Sequence, residues 1–248
     1  RLLANFGSVY QAQANYTKAL VYFEQSLKMR RAVYGKETAH PEVAKSLTHL
    51  SGVYQAQADY PKALLYAKQS LKMERIIYGK EAHPAVLVSL NNLGLVYQAQ
   101  GNYPKALSYY KQALSIQQAI YGKEAHPDLA GDLNNVGCIY KLQGNYSEAL
   151  KYYEQSLVMS QAVYKGKPHP DVAAALGNLG SVYVAQGNYA KAQTYHKQAL
   201  IMRQTIYGKK AHPELANSLH ALGSMCRAQG DYIKALAYFE RALPVQRS

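Results

Sequence analysis

The sequence predicts an all-α solenoid made of six stacked helix pairs, and two recurrences support this prediction. His-Pro pairs recur at an interval of 43 residues, beginning at His40, His83, His126, His169 and His212. A tyrosine preceded by Asn or Asp follows the same period, except for one extra residue, Thr38, in the first linker. These tyrosines are Tyr16, Tyr60, Tyr103, Tyr146, Tyr189 and Tyr232. Such a period is typical of arrays in which each helix pair buries its apolar faces against the next.

The first helix of each repeat is predicted to begin at the His-Pro pair. In the third repeat, helical spacing places one apolar stripe at Val86, Leu90, Leu93 and Tyr97. Proline suits the first helical position and holds the preceding residue extended, so His83 is expected to be the N-cap. Gly101 is expected to end the helix, because glycine tolerates the left-handed conformation that follows many helices.

The second helix of each repeat is predicted to begin after an Asn or Asp cap and to end at a Tyr-Gly pair. The caps are Asn15, Asp59, Asn102, Asn145, Asn188 and Asp231. In the fourth repeat the glycine stands one place later, at Gly166, so we expect that helix to end one residue later. Ala14 and Ala58 replace the turn glycine of the other four repeats, and a left-handed alanine there would cost about 1 kcal/mol.

The period divides the 248 residues into one uninterrupted array, with no domain boundary over 1–248. The repeats span approximately 1–39, 40–82, 83–125, 126–168, 169–211 and 212–248. The chain begins Arg1-Leu2-Leu3, with neither methionine nor a signal-like segment, which is typical of an excised fragment. Both ends fall inside a repeat and lack a polar capping helix, so we expect exposed apolar faces and head-to-tail self-association.

Composition limits the compartment and the partners. No run approaches the ~18 apolar residues of a membrane helix, and Cys138 and Cys226 are too few for a disulfide scaffold. Both observations favour a cytoplasmic protein without a membrane partner. The net charge of +13 suggests nucleic acid at first, but the basic residues lie mainly where solvent is expected, so nucleic acid is not the favoured partner. They begin the second helices or occupy the linkers: Lys62, Lys105, Lys191 and Lys234; Lys36, Lys80, Lys123 and Lys209.

The spacing inside each repeat matches a known pattern. Leu-x2-Leu-Gly-x2-Tyr-x8-Ala-x3-Tyr-x2-Ala is formed by Leu90, Leu93, Gly94, Tyr97, Ala106, Tyr110 and Ala113. This pattern resembles the tetratricopeptide repeat (TPR), whose unit of ~34 residues is lengthened here. The long unit with its Gly-Lys-x-x-His-Pro linker is most similar to kinesin light chain repeats. The resemblance covers the whole chain and implies a right-handed superhelix whose first helices line a concave groove.

The resemblance also implies that asparagines in the groove hold cargo peptides. Opposite the core stripe of the first helices, one register carries an amide in four of six repeats. With its neighbours it gives the predicted peptide-binding residues Asn5, Lys45, His49, Gln55, Asn92, Gln98, Asn135, Lys141, Asn178 and Arg227. An asparagine amide matches the backbone of an extended peptide, and the basic side chains favour a neutral or acidic one. The alternative is that the amides bridge neighbouring helices inside the array.

No pattern predicts an enzyme. The sequence has no phosphate-binding loop, no paired carboxylates on one helix and no nucleophile with a base, so we expect no catalysis, no cofactor and no small-molecule substrate. The linker histidines would be ~10 Å apart in stacked repeats, too far to share a metal ion. Departures from the repeat, which we expect to make the packing less uniform, are Ser51, Ala67, His196 and Cys226.

The sequence therefore predicts a protein-interaction scaffold that binds an extended peptide or partner segment. One alternative is a structural spacer within a larger multidomain protein. A further alternative is an RNA-binding solenoid, because some helical repeats read single-stranded RNA.

Overall fold

The computed structural model describes residues 2–36, 38–79, 82–122, 124–208, 210 and 212–246, with side chains as far as residue 243. This part of the chain forms twelve α-helices and no strand. The helices are α1 (Leu2–Ala12), α2 (Tyr16–Tyr34), α3 (Pro41–Ala56), α4 (Tyr60–Tyr78), α5 (Pro84–Ala99), α6 (Tyr103–Tyr121), α7 (Pro127–Leu142), α8 (Tyr146–Val163), α9 (Pro170–Ala185), α10 (Tyr189–Tyr207), α11 (Pro213–Ala228) and α12 (Tyr232–Gln246). The predicted linker cations Lys80, Lys123 and Lys209 lie outside the described residues.

The chain divides into two compact halves, Arg1–Gly122 and Lys123–Ser248, each with three repeats. In the N-terminal half α1 packs on α2, α3 on α4 and α5 on α6, while α2 contacts α3 and α4 contacts α5. The C-terminal half has the same construction: α7 packs on α8, α9 on α10 and α11 on α12, while α8 contacts α9 and α10 contacts α11. The predicted all-α solenoid of six helix pairs is confirmed. A single uninterrupted array over 1–248 stays a prediction.

Each first helix from α3 onwards begins with the predicted histidine cap. The five histidines have extended backbones with φ between −123° and −145°. Each Nδ1 accepts a hydrogen bond of 3.2–3.3 Å from the backbone N–H two residues later. At four of these caps the imidazole also stacks on the tyrosine near the end of the preceding second helix, with ring centroids 3.3–3.5 Å apart. At these four caps the stack therefore ties the histidine to the helix before it.

The Asn and Asp residues cap the second helices as predicted. Their side-chain oxygens accept hydrogen bonds of 3.1–3.3 Å from the backbone N–H three residues later. The residue before each cap is left-handed, with φ of 72–83° at the four glycines, 56° at Ala14 and 58° at Ala58. A Cβ atom is unfavourable in this conformation, so the two alanines carry the strain that the sequence predicted.

The second helix of the fourth repeat ends one residue earlier than its counterparts, so the prediction that it ends later was wrong. α8 ends at Val163, whereas α2, α4, α6 and α10 include the tyrosine that follows. Three linker glycines elsewhere combine φ of 59–64° with ψ of −120° to −135°, which residues with a Cβ atom rarely adopt. Lys165 stands at that position and takes φ 53° instead. The helix therefore closes early, with a 3.0 Å hydrogen bond from the Gly166 N–H to the Gln161 carbonyl.

A glycine of the first helix makes room for a ring of the second helix in five of six repeats. A Cβ atom on these glycines would come within 2.6–3.0 Å of the ring. The pairs are Gly7–Phe23, Gly94–Tyr110, Gly137–Tyr153, Gly180–His196 and Gly223–Phe239. The second repeat replaces both partners, with Ser51 and Ala67, and the Ser51 hydroxyl donates to the Ala63 carbonyl at 2.9 Å. These two departures from the repeat are therefore one compensated substitution.

Candidate functional site

In the N-terminal half, the predicted site residues lie on the first helices α1, α3 and α5. Asn5 is exposed and Asn92 is half-buried, and neither amide has a hydrogen-bond partner within the described part of the chain. His49 holds the same register in the second repeat. Because α3 contacts α5, the structure brings His49 and Asn92 onto adjacent helices. Two of the three first helices in this half thus present an amide that packing does not use.

In the C-terminal half, the same register holds Asn135 on α7 and Asn178 on α9. The Asn135 amide is half-buried and has no partner among the described residues. Asn178 differs, because its Nδ2 donates a 2.6 Å hydrogen bond to Oδ1 of Asn134. At Asn178 the structure therefore has the helix-bridging arrangement that the sequence left open. Sequence reasoning missed Asn134, although a second amide beside Asn135 was the available signal.

The neighbouring register adds polar and basic side chains to the same helices. Gln55 is half-buried, and Oε1 of Gln98 accepts a 3.1 Å hydrogen bond from a tyrosine hydroxyl of its own repeat, so Gln98 takes part in packing. Lys45 and Arg227 are exposed, and Lys141 is half-buried. Each half therefore has at least one cation among its predicted site residues.

Among the titratable residues of the predicted site, His49 has a pKa that its environment shifts. Its ring meets Phe23 edge-on, with centroids 4.7 Å apart and an interplanar angle of 77°. Nδ1 is buried and has no hydrogen-bond partner in the described part of the chain. Burial lowers the pKa of the imidazole, and the positive charges of Lys45 and Arg30 lower it further. His49 is therefore uncharged at neutral pH and adds a hydrogen-bonding edge rather than a positive charge.

The lysines at the start of the second helices have a packing role that the sequence did not reveal. In four repeats the lysine ammonium lies 4.9–5.2 Å from the ring centroid of a first-helix tyrosine. Those tyrosines in turn stack on a second-helix tyrosine, with centroids 5.4–5.6 Å apart. Exposed cation–π contacts contribute about 0.5–1 kcal/mol each. Part of the positive charge thus joins the two helices of a repeat.

Three further features bear on function. No described helix is long and apolar enough to cross a membrane. Among the described residues, no group of three or more His, Cys, Asp or Glu side chains is arranged to hold a metal ion. Cys138 is half-buried and Cys226 is buried, and neither forms a disulfide.

Comparison with known proteins shows which family and which solved structures this chain resembles. The model of the tetratricopeptide repeat matches residues 1–75, 85–162, 133–205 and 171–248. The chain is similar to BtubC (BKLC) from P. vanneervenii, with 24% identity over 94% of this chain and 91% of that one and a TM-score of 0.76. It is also similar to the nearly identical TPR-like repeats of a putative kinesin light chain from Podosopora anserina, with 25% identity, coverage of 84% and 96%, and a TM-score of 0.68.

A more distant similarity joins the chain to a Rap protein complexed with Competence and Sporulation Factor, with 16% identity, coverage of 99% and 74%, and a TM-score of 0.63. The sequence matches no curated protein. The resemblance to kinesin light chain-like repeats is confirmed by the structural neighbours. Because the repeat model matches nearly the whole chain, the protein belongs to the tetratricopeptide-repeat family.

Proposed function

We propose that this protein is an interaction scaffold that binds an extended peptide through the amides of its first helices. The observation that carries the proposal is that the amides of Asn5, Asn92 and Asn135 have no partner within the described residues. Asn5 is exposed and the other two are half-buried, so all three are accessible, and an amide can donate to and accept from a peptide backbone. The TPR fold is typically a non-enzymatic scaffold, and a Rap protein of similar fold is complexed with Competence and Sporulation Factor.

The charges of the site favour a neutral or acidic segment. Lys45, Lys141 and Arg227 add positive charge to the first helices, whereas burial keeps His49 neutral. Asn178 is expected to contribute less than the other asparagines, because a bound peptide would compete with its 2.6 Å hydrogen bond to Asn134. The proposal includes a cytoplasmic location, to which two cysteines without a disulfide are suited, and no catalysis, cofactor or small-molecule substrate.

A peptide-array screen followed by titration tests the amide register. Asn92→Ala and Asn135→Ala, made separately so that each half is tested by itself, should each weaken binding of the selected peptide, since a backbone-reading amide is lost. Gln118→Ala and Gln161→Ala are the matched controls, because each also removes an amide, from an exposed position on a second helix of the same half. Unchanged affinity in both asparagine variants, or losses equal to those of the controls, would contradict the role of the register.

The alternatives predict different outcomes of the same experiments. A structural spacer selects no peptide at all, so an empty array with a folded protein would favour it. An RNA-binding solenoid binds single-stranded RNA at low salt and loses affinity steeply as salt is added. The absence of RNA binding at low salt would end that alternative.

We also propose head-to-tail self-association between copies of the chain. Phe6 and Val9 on α1 are 51% and 54% exposed, whereas Leu93 and Val96 in the same registers are 0% exposed. Leu243 on α12 is 48% exposed, whereas the equivalent leucines of α2 and α4 are 6–7% exposed. Internal junctions bury these registers against neighbouring repeats, so α12 of one copy fits α1 of another. Sedimentation velocity should show association that rises with concentration and weakens in Phe6→Asp, and a strictly monomeric chain at high concentration would exclude it.

A further inference from the structure

A cleft of about 440 Å³ in the N-terminal half is lined mainly by α2 and by a side chain of α4, and three cations surround it. Lys28 and Arg31 come from α2, and Lys36 comes from the linker that follows. Residues three apart on a helix share a face, so the first two cations lie on one side of α2. Leu27, which is buried, and the half-buried ring of Tyr66 complete an apolar floor. The cleft thus combines exposed positive charge with apolar surface.

Arg31 lines this cleft, and its guanidinium has an unpaired donor. Its Nε is buried and has no acceptor within the described part of the chain. Buried donors are nearly always paired in native proteins, because an unpaired one costs its full desolvation. Glu24, the acidic residue among the described lining residues, instead accepts a 3.3 Å hydrogen bond from the Tyr54 hydroxyl. A ligand would therefore meet the rest of the guanidinium, because Nε is closed to solvent whereas Arg31 as a whole is only half-buried and lines the cleft.

The equivalent residue of the next repeat is already engaged. Arg75 holds the register of Arg31, and its Nη2 donates a 3.0 Å hydrogen bond to Oε1 of Gln112 on α6. The third, fourth and fifth repeats have glutamine in this register, at Gln118, Gln161 and Gln204. The unsatisfied guanidinium is therefore a property of the first repeat, not of the repeat pattern.

We infer that this cleft binds a phosphoryl group carried by a side chain of a partner peptide. The three cations and Glu24 leave two uncompensated positive charges, and a phosphate monoester carries about −1.5 to −2 at neutral pH. A guanidinium donates in a planar fork that suits phosphate oxygens, and such charge-assisted hydrogen bonds are among the strong ones. Leu27 and Tyr66 accommodate an apolar side chain next to the phosphoresidue. This surface lies on a second helix, apart from the asparagine register, so the site goes beyond the function proposed above.

NMR titration of the ¹⁵N-labelled full chain with acetyl-Leu-phosphoserine-Leu-amide tests this inference. The Nε–Hε signal of Arg31, assigned by its loss in Arg31→Gln, should shift and saturate below ~10 mM peptide. In Arg31→Gln, half-saturation measured from the backbone signals of α2 should rise at least ~10-fold. Glutamine occupies this register in three other repeats, so the substitution suits the fold. Arg75→Gln is the matched control and should leave half-saturation unchanged.

Three further titrations decide between ligands. The unphosphorylated peptide and its glutamate analogue should bind at least ~10-fold more weakly, because neither balances both charges. A glutamate analogue that binds equally would overturn the assignment to phosphate. Inorganic phosphate that binds as tightly as the phosphopeptide would overturn the assignment to a peptide-borne group. Shifts that never saturate, or that are equal at Arg31 and Arg75, would overturn the site itself.

Discussion

Replacing Gly94 by serine should destabilise the third repeat unless Tyr110 is reduced at the same time. A Cβ atom at Gly94 would lie 2.6 Å from Cε1 and 2.8 Å from Cζ of Tyr110, well inside van der Waals contact. The tyrosine is only 1% exposed and cannot move into solvent. Overpacking of this kind costs about 1–3 kcal/mol. Tyr110→Ala alone should cost about 3–5 kcal/mol, since it leaves a cavity in the core.

The double variant should recover part of this loss. The second repeat already contains the combination, because the hydroxyl of Ser51 lies beside Ala67 and donates to the Ala63 carbonyl at 2.9 Å. In Gly94→Ser combined with Tyr110→Ala, the introduced hydroxyl can reach the equivalent carbonyl, and its methylene fills part of the cavity. We therefore expect the double variant to be more stable than the sum of the single effects by about 1–3 kcal/mol.

Urea unfolding of the intact chain, followed by circular dichroism, measures all four corners of this cycle. The converse cycle, Ser51→Gly with Ala67→Tyr, provides the matched control in the second repeat, and its double variant should also exceed the sum of its singles. Transitions of repeat proteins can lose cooperativity, so both cycles should be compared at the same helical signal. A coupling energy near zero in both cycles would refute the claim that glycine and ring are one packing unit.

Three other substitutions probe local strain and a buried titratable group. Ala58→Gly should raise the melting temperature, because it relieves about 1 kcal/mol of strain from a left-handed alanine. Gly101→Ala introduces the same strain and should lower the melting temperature. An unchanged melting temperature for Ala58→Gly would contradict the strain. His196 is 4% exposed, and burial, with Arg203, lowers its pKa to about 4. Because the unfolded chain binds the proton first, stability should fall by about 3 kcal/mol as pH drops from 7 to 4. Urea unfolding at both pH values should show that His196→Phe removes this part of the loss.

Features governed by neighbours along the chain were predictable from the sequence. The helix caps are of this kind, because a few adjacent backbone groups need partners: the histidine of each His-Pro pair and the Asn or Asp before each second helix. The left-handed conformation of Ala14 and Ala58 follows from the same local geometry. The end of α8 was mispredicted because Lys165 does not adopt the backbone conformation of the equivalent glycines. The helix is therefore ended by a different hydrogen bond. Spacing alone does not distinguish the two closures.

Features that depend on facing helices were not predictable in this way. The sequence revealed Ser51 and Ala67 as two departures, but only the packed helices show that they compensate one another. Likewise, the four asparagines of the predicted register look equivalent in sequence, yet Asn178 alone among them bonds to Asn134. The unpaired donor of Arg31 can be recognised only from the packed positions of α2 and α4, because the sequence shows only that a cation is present.

Matched departures from the repeat also occur at the junctions between repeats. At the first junction Arg30 of α2 forms a 2.5 Å ion pair with Glu42 of α3. The same register at the second junction holds Glu74, which is 3% exposed and whose pKa is raised by burial. The acidic position of the following helix is there replaced by Ala85. Where arginine is replaced by Glu74, the glutamate of the next helix is thus replaced by Ala85. This pairing avoids burying two carboxylates together.

This matching separates packing residues from binding residues in a way that stability measurements can test. Glu74→Arg alone buries a cation without a carboxylate partner and should lower the free energy of unfolding by about 3 kcal/mol. Glu74→Arg combined with Ala85→Glu recreates the ion pair of the first junction and should recover most of the lost free energy. Arg31 and Asn135 have no such partner. Arg31→Gln should therefore not lower the free energy of unfolding, since it removes an unpaired buried donor, and Asn135→Ala should change it by no more than about 0.5 kcal/mol. A large loss in either variant would show that the residue supports the fold, and its assignment to binding would fail.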